Sequence, residues 1–292
     1  MTNMLAQSKD THIEIEKIQI SMIRQESIAK KASRMCSLSQ TTRQLSRRAI
    51  KRANPTLNEG ELYILFVGYL YGSDLANRLG HYLNKKPQKA MKQAEIIAAA
   101  YPVAKAFDEL GILYYIGGSV ASSVYGMPRA TQDVDMVSDL KPQQISPLVE
   151  KLSSAYYIDK DMILEAINRN SSFNLIHLDT MIKIDVFMCK DEAYHRSAFQ
   201  RRREDTLDAE EHALKFYIAS SEDIILSKLD WFRMGGQISD QQWRDIQGVL
   251  KIQKDSLDID YLFTWAKDLG LNQLLKKAFH EAGISYNALQ NT

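Results

Sequence analysis

Cysteine is scarce: only Cys36 and Cys189 occur in 292 residues, with no metal-type spacing. That rules out a disulfide-stapled scaffold, offers no zinc-ligand pattern, and suits a reducing cytoplasm. Long apolar runs are missing too. No stretch of about eighteen apolar residues appears, so no membrane span is expected. The opening MTNMLAQSKDTHIE lacks the apolar centre of a secretory signal, so a soluble cytoplasmic protein is expected. The six histidines do not cluster, and no Ser–His–Asp or Cys–His arrangement suggests nucleophilic catalysis. Net charge is only +1, which by itself predicts no partner. No internal repeat or low-complexity segment is evident. What remains is a chain with 45% hydrophobic residues, ample for one large or two small cores.

Charge is uneven along the chain. Residues 1–90 hold fifteen Lys or Arg against seven Asp or Glu, while the remainder holds twenty-two against twenty-nine. A basic part and an acidic part can attract each other, or the basic part can meet nucleic acid; solvated helix faces account for the same numbers.

The most informative stretch is ILYYIGGSVASSVYGMPRATQDVDMV, residues 112–137. Its β-branched and aromatic start reads as a buried strand. Gly117 and Gly118 follow, where the backbone turns sharply or approaches a ligand. Ser119 is expected to cap a short helix that Gly126 ends. Asp133 and Asp135 then alternate with Val134 and Met136, so both carboxylates fall on one face of a strand. Two such neighbours need a cation between them, and a hard divalent ion, Mg²⁺ above all, suits oxygen ligands. Residues 181–188, MIKIDVFM, repeat the alternation with Lys183, Asp185 and Phe187 on the polar face. A carboxylate within a core strand is costly unless paired or metal-bound. If the two strands are neighbours, Asp185 joins the pair, and three carboxylates can hold two metal ions.

A strand, then Gly117-Gly118-Ser119 opening a helix, then Asp133-Val-Asp135, then Ile184-Asp185-Val186, resembles the nucleotidyltransferase fold. With Ser227-Lys228-Leu229 and Trp243-Arg244-Asp245-Ile246 in two later helices, it resembles the abortive-infection type of nucleotidyltransferase toxin from bacterial toxin–antitoxin pairs. The resemblance covers roughly residues 94–254. It implies an α+β fold with a small mixed sheet, and an enzyme that moves an NMP from an NTP to an acceptor hydroxyl. It further implies an RNA acceptor, such as a tRNA 3′ end, growth inhibition and a cognate antitoxin. A protein or an antibiotic is the other acceptor within that class, and a catalytically silent binding or antitoxin-like protein is the rival outside it. Asp133, Asp135 and Asp185 are then the catalytic and metal-binding residues, with Mg²⁺ as cofactor. Asp185 also suits a general base. Gly117, Gly118 and Ser119 are expected to hold the triphosphate on backbone N–H groups. Arg129, Thr131 and Lys228 are expected to contact phosphate, and Asp245 reads as a salt-bridged helix residue.

The rest of the chain is read mainly as helix. Residues 1–88 are expected to form a basic helical module, 89–219 the catalytic domain and 220–292 a helical cap. In the module, helices are expected over about 11–35 and up to Asn54-Pro55, then from a Thr56–Glu59 capping box, then from Ser73. A linker is placed at 85–89 and a helix at 90–110. The charged segment 191–211, with Arg201-Arg202-Arg203, is expected to be a mobile surface stretch rather than a substrate clamp. A last strand is placed at 214–219. The basic module has two physical uses open to it: restraint of an acidic active site, or a grip on an RNA acceptor through its phosphates.

Overall fold

The computed structural model describes residues 4–6, 10–83, 96–207 and 215–285. The expected linker at 85–89, the start of the 90–110 helix and Leu214 lie outside the described residues. In chain order the helices are α1 (Ile13–Arg24), α2 (Ile28–Ala53), α3 (Glu59–Tyr71), α4 (Ser73–Leu83) and α5 (Ile96–Glu109). Strand β1 (Tyr114–Ile116) leads into α6 (Gly118–Tyr125), and β2 (Asp133–Ser138) into α7 (Ile145–Leu152). Then come β3 (Tyr156–Tyr157), α8 (Lys160–Arg169), β4 (Ser172–His177), β5 (Lys183–Met188), α9 (Ala193–Arg201), β6 (Arg203–Thr206) and β7 (Lys215–Ile218). Four helices follow: α10 (Ser221–Met234), α11 (Asp240–Gln253), α12 (Ile259–Asp268) and α13 (Asn272–Glu281). The mixed α/β fold expected of a nucleotidyltransferase is what the chain adopts. No helix among the described residues is long and apolar enough to cross a membrane.

The chain forms two compact units. One comprises Met1–Arg34, Tyr115–Arg129 and Asp191–Thr292; the other comprises Met35–Tyr114 and Ala130–Lys190. The residues expected to form one basic module thus contribute to both units.

In the unit containing Asp133, strands run in the order β3-β4-β5-β2. β2 and β5 are parallel, and β4 is antiparallel to β5, its partner across the Asp179-Thr180 turn. Strict alternation decides the faces. Val134 and Met136 of β2 and Ile184 and Val186 of β5 are buried on one side, where α5 packs against β2 and α8 against β5. Tyr156 ties this layer together by donating its hydroxyl to the Ala99 carbonyl oxygen at 2.6 Å. The other face carries Asp133, Asp135, Lys183 and Asp185. Towards β3 that same face turns apolar, and Ile176 and Tyr157 pack there with Val67, Leu75, Ala76 and Leu79 of α3 and α4. The N-terminal helical pair therefore walls the sheet beside the acidic residues.

In the other unit, β1 pairs with β7 in parallel, and β6 pairs with β7 antiparallel. Of the segment expected to be a mobile surface, residues 191–207 are described, and they pack around these strands. Arg201 is gripped by Glu222 at 3.1 Å and Asp258 at 3.5 Å, with its guanidinium over the Tyr261 ring at 3.9 Å. Arg202 stands over Tyr217 at 4.8 Å, and Arg203 begins β6. Charge alone looks like solvent-facing sequence; here acids arriving from α10 and α12 absorb it. α1 belongs to this unit as well. Lys251 of α11, almost wholly buried, meets Glu16 of α1 at 2.7 Å and donates to the Leu5 carbonyl oxygen at 2.6 Å.

Several helix starts fall one or two residues from their sequence signals. Asn58 with Glu61 forms the capping box of α3, in place of Thr56 and Glu59. Ser220 caps α10 rather than Ser221, because only its side chain reaches the Asp223 N–H. α2 runs unbroken through Ser37 and Ser39, since their hydroxyls leave the ladder intact; Ser39 Oγ donates back to the Met35 carbonyl oxygen at 2.7 Å.

Helix α6 packs closely on α10 and α11. A Cβ at Gly126 would lie 2.8 Å from the Ser122 oxygen, 2.8 Å from the Val249 nitrogen and 2.9 Å from the Gly248 carbon, all backbone atoms. Backbone does not yield as a side chain does. Gly126→Ala is expected to destabilise the protein by about 2–3 kcal/mol. Urea denaturation checks this, and an unchanged midpoint would show that α6 and α11 are not in close contact.

Candidate active site

β2 and β5 align so that Asp133 pairs with Lys183, and Asp135 with Asp185. Residues paired across parallel strands share a face, so three carboxylates and one ammonium stand together on half-buried positions. Lys183 Nζ lies 2.7 Å from Asp185 Oδ2 and 4.0 Å from Asp133 Oδ2. Burial pushes the Asp185 carboxyl above the usual carboxylate range; Asp133 adds to that push and Lys183 opposes it. Burial also works against the Lys183 charge, but the hydrogen bond to Asp185 and the fields of Asp185 and Asp133 win, and hold its pKa above the ordinary value. Sequence alternation already put Lys183 on this face; its register with Asp133 needed the strand pairing.

The approach to these strands is fixed from α2 and α3. Arg43, buried to 2% exposure, donates Nη2 to the carbonyl oxygens of Thr180 at 3.2 Å and Met181 at 3.0 Å, just ahead of β5. Its Nη1 reaches the Gln132 carbonyl oxygen at 3.3 Å, just ahead of β2, and the Tyr71 hydroxyl at 3.2 Å. Tyr71 donates to the Gln132 oxygen at 2.7 Å and accepts from the Lys183 backbone N–H at 3.3 Å. Thr131 is buried, and its N–H donates to Ser39 Oγ at 2.9 Å. Its hydroxyl lies 3.3 Å from Asp133 Oδ1. Thr131 therefore fixes the loop in this structure. Arg43 read as one charge of a basic helix; that it is buried among carbonyls a hundred residues away is invisible in sequence.

A second cluster lies within the other unit. Gly117 precedes α6 without a side-chain cap, and Gly118 adopts φ +50°, a left-handed conformation that glycine takes without strain. Ser119, expected as the cap, instead accepts from Arg129 Nη2 at 2.8 Å. Arg129 also grips Asp245 with both ends of its fork, Nε to Oδ1 and Nη2 to Oδ2, each at 2.7 Å. Lys228 completes the group, 2.8 Å from Asp245 Oδ2 and donating to Gln242 Oε1 at 3.0 Å. Asp245 is thus paired with two cations from α10 and from the loop after α6, not with its neighbour Arg244. Burial would raise its pKa, yet Arg129 and Lys228 together hold the carboxyl below the usual range. Two cations share one carboxylate, so the cluster keeps positive charge next to the Gly117–Ser119 turn.

Metal fit rests on the first cluster. Among the described residues, no group of three or more His, Cys, Asp or Glu side chains stands ready to hold an ion. Asp133, Asp135 and Asp185 nevertheless supply hard oxygen donors at adjoining register positions, the chemistry Mg²⁺ requires. The residues fit the ion in type and strand position, and Lys183 currently satisfies Asp185.

Fold and acidic strand pair together define a nucleotidyltransferase-type protein. Residues 95–291 match the family model described as "Nucleotidyltransferase of unknown function (DUF6036)", and the chain belongs to that family. No curated protein matches the chain. Among solved structures, it is similar to an antigenic nucleotidyltransferase-like protein from Paracoccidioides brasiliensis. That match has 19% identity and TM-score 0.41, over 67% of this chain and 96% of that one. It is also similar to the antibiotic-resistance factor ANT(2'')-Ia, at 16% identity and TM-score 0.37, over 63% of this chain and 92% of that one. Likeness at this level says nothing of substrate.

Two stability predictions follow from these contacts. Arg43→Ala would strand the Thr180 carbonyl oxygen and leave those of Gln132 and Met181 to the single Tyr71 hydroxyl, and is expected to cost about 2–3 kcal/mol, read by urea denaturation. Asp245→Asn would leave a buried Lys228 ammonium short of its counter-charge, at about 3–5 kcal/mol near neutral pH. Because the folded pKa of Asp245 lies below its unfolded value, its contribution is complete above about pH 4. It is lost as pH falls through the folded pKa. The stability gap between wild type and Asp245→Asn should therefore narrow in acid; a gap constant from pH 7 to pH 3 contradicts the assignment.

Proposed function

We propose that this chain is a Mg²⁺-dependent nucleotidyltransferase that moves an NMP from an NTP to an acceptor hydroxyl. The observation that carries this reading is the parallel register of Asp135 with Asp185, with Asp133 on the same face, in a member of a nucleotidyltransferase family. Asp133, Asp135 and Asp185 would hold Mg²⁺, which when bound neutralises phosphate charge and favours departure of pyrophosphate. Asp185, on the same face as Asp133 and Asp135, takes the proton of the acceptor hydroxyl. The acceptor oxygen then bonds to the α-phosphorus, the bond from that phosphorus to the bridging oxygen breaks, and pyrophosphate leaves. Backbone N–H groups at Gly117, Gly118 and Ser119 would receive phosphate oxygens. Arg129 and Lys228, with one positive charge in excess of Asp245, would meet the phosphates' negative charge. Thr131 would act by fixing the loop ahead of Asp133.

For the acceptor we infer RNA, with a tRNA-like 3′ end as the expected form, and a growth-inhibiting toxin restrained by a cognate antitoxin as the biological setting. Support comes from α2, which has eight Lys or Arg and no acid, and whose Arg47, Arg48 and Arg52 are neither fully buried nor in an ion pair among the described residues. Antibiotic or protein nucleotidylation has no comparable support in these residues. A silent binding protein is disfavoured because all three carboxylates are present.

Incubation with each labelled NTP and total cellular RNA tests the reading, label on RNA being the expected outcome. Asp133→Asn, Asp135→Asn and Asp185→Asn keep size and remove charge. Each is expected to slow transfer by at least about a thousandfold, or ~4 kcal/mol of barrier, with the fold intact by circular dichroism. Near-normal transfer by Asp185→Asn would remove it from the catalytic set.

A further inference from the structure

Lys183 stands on the acidic face with a charge opposite to that of Asp133, Asp135 and Asp185. Its place is built rather than incidental. Strand register sets it beside Asp133 and, two residues on, next to Asp185. Its ammonium stands 5.2 Å from the centre of the Tyr71 ring, and Tyr71 is itself held by Arg43 and by the Gln132 carbonyl. The Lys183 side chain is only 19% exposed and that of Asp185 17%. A half-buried ion pair of this length is not readily opened by solvent. The ammonium therefore sits on a carboxylate that the reading above assigns to Mg²⁺.

We propose that Lys183 is a built-in competitor for the divalent cation. Its ammonium neutralises Asp185 and Asp133 in the ion-free protein and must be displaced from Asp185 before a divalent ion binds there. This rests on the assignment of those carboxylates to metal. The charge balance explains why such a residue is useful. Without it, three carboxylates on one face would repel one another whenever metal is absent. A bare cation must evict the ammonium with nothing offered in return. A cation arriving with a triphosphate brings negative charge for the evicted ammonium as well. Tyr71 is a positioning residue in this scheme, since its ring backs the ammonium.

The test is direct binding of Mn²⁺ to the full-length chain without nucleotide, followed by the electron paramagnetic resonance signal of free Mn²⁺. Lys183→Met removes the charge and keeps most of the side-chain bulk; Lys183→Arg retains the charge. Lys183→Met is expected to bind Mn²⁺ at least about tenfold more tightly than wild type, the equivalent of ~1.4 kcal/mol. Lys183→Arg is expected to stay near wild type, and Asp185→Asn to lose the gain when combined with Lys183→Met. Thermal melting supplies a second readout. Mn²⁺ should raise the Tm of Lys183→Met more than that of wild type, because the variant lacks its internal counter-ion. If Lys183→Met does not fold, Lys183→Gln takes its place in both measurements. Equal Mn²⁺ affinity in wild type and the neutral variants overturns the competitor role and leaves the metal assignment standing. Absence of Mn²⁺ binding in every variant, with Asp185→Asn indistinguishable from the rest, overturns both.

Discussion

Three carboxylates brought onto one face of two adjoining strands cannot stand there without positive charge. Alternation puts Asp133 and Asp135 two residues apart on β2, and the parallel register of β5 adds Asp185 beside them. The opposite face of the same strands is apolar core, so the acids cannot turn away from one another without a slip that would expose Val134, Met136, Ile184 and Val186. Core burial thus enforces the crowding, and Lys183 relieves it from within the sheet. The surrounding contacts serve the same end. Arg43 and Tyr71 hold the backbone just ahead of both strands, which fixes the register on which the crowding depends.

The other unit solves the mirror-image problem. There the surplus is positive: Arg129 and Lys228 approach each other near the Gly117–Ser119 turn, and Asp245 keeps them together. One carboxylate between two cations leaves the group able to attract an anion, whereas a second acid would have cancelled it. The geometry makes Asp245 a residue that acts through Arg129 and Lys228. Its burial keeps solvent from screening the pairs and makes its removal costly.

Much of the acidic strand pair was legible in the sequence because it rests on local periodicity. DVDMV and KIDVF alternate polar and apolar residues without interruption, so strand, face and the cost of burying Asp185 could all be read from neighbours. What was not legible depends on distant partners. Arg43 and Tyr71 sit in helices whose patterns announce only an amphipathic hairpin. Their destination at Gln132, Thr180 and Met181 is set by how α2 and α3 pack on the sheet. The same cause explains Arg201-Arg202-Arg203, whose high charge reads as surface until Glu222 and Asp258 arrive from other elements. Cap residues shifted by one or two places for a smaller reason: several Ser, Thr, Asp or Asn residues compete at these helix starts. The side chain that reaches an unpaired N–H wins.

The basic character of α2 also divides once partners are known, and the division bears on how the helix is used. Lys30 and Arg34 are held by Glu26, and Lys51 by Glu59. Lys31 and Arg43 are buried, and Arg43 spends its guanidinium on backbone carbonyl oxygens. Arg47, Arg48 and Arg52 remain, and among the described residues no carboxylate forms an ion pair with them. Arg47 lies over the Tyr63 ring at 4.4 Å, which presents a guanidinium and an aromatic surface in one place. If restraint of the acidic face were the function of this charge, these three should be spent on Asp133, Asp135 or Asp185. Instead Asp185 is satisfied by Lys183, while Arg47 lies over Tyr63 and Arg52 donates Nε to the Arg48 carbonyl oxygen at 3.4 Å. α2 thus divides its positive charge between side chains that pack or pair within the fold and arginines that stand outside any ion pair among the described residues.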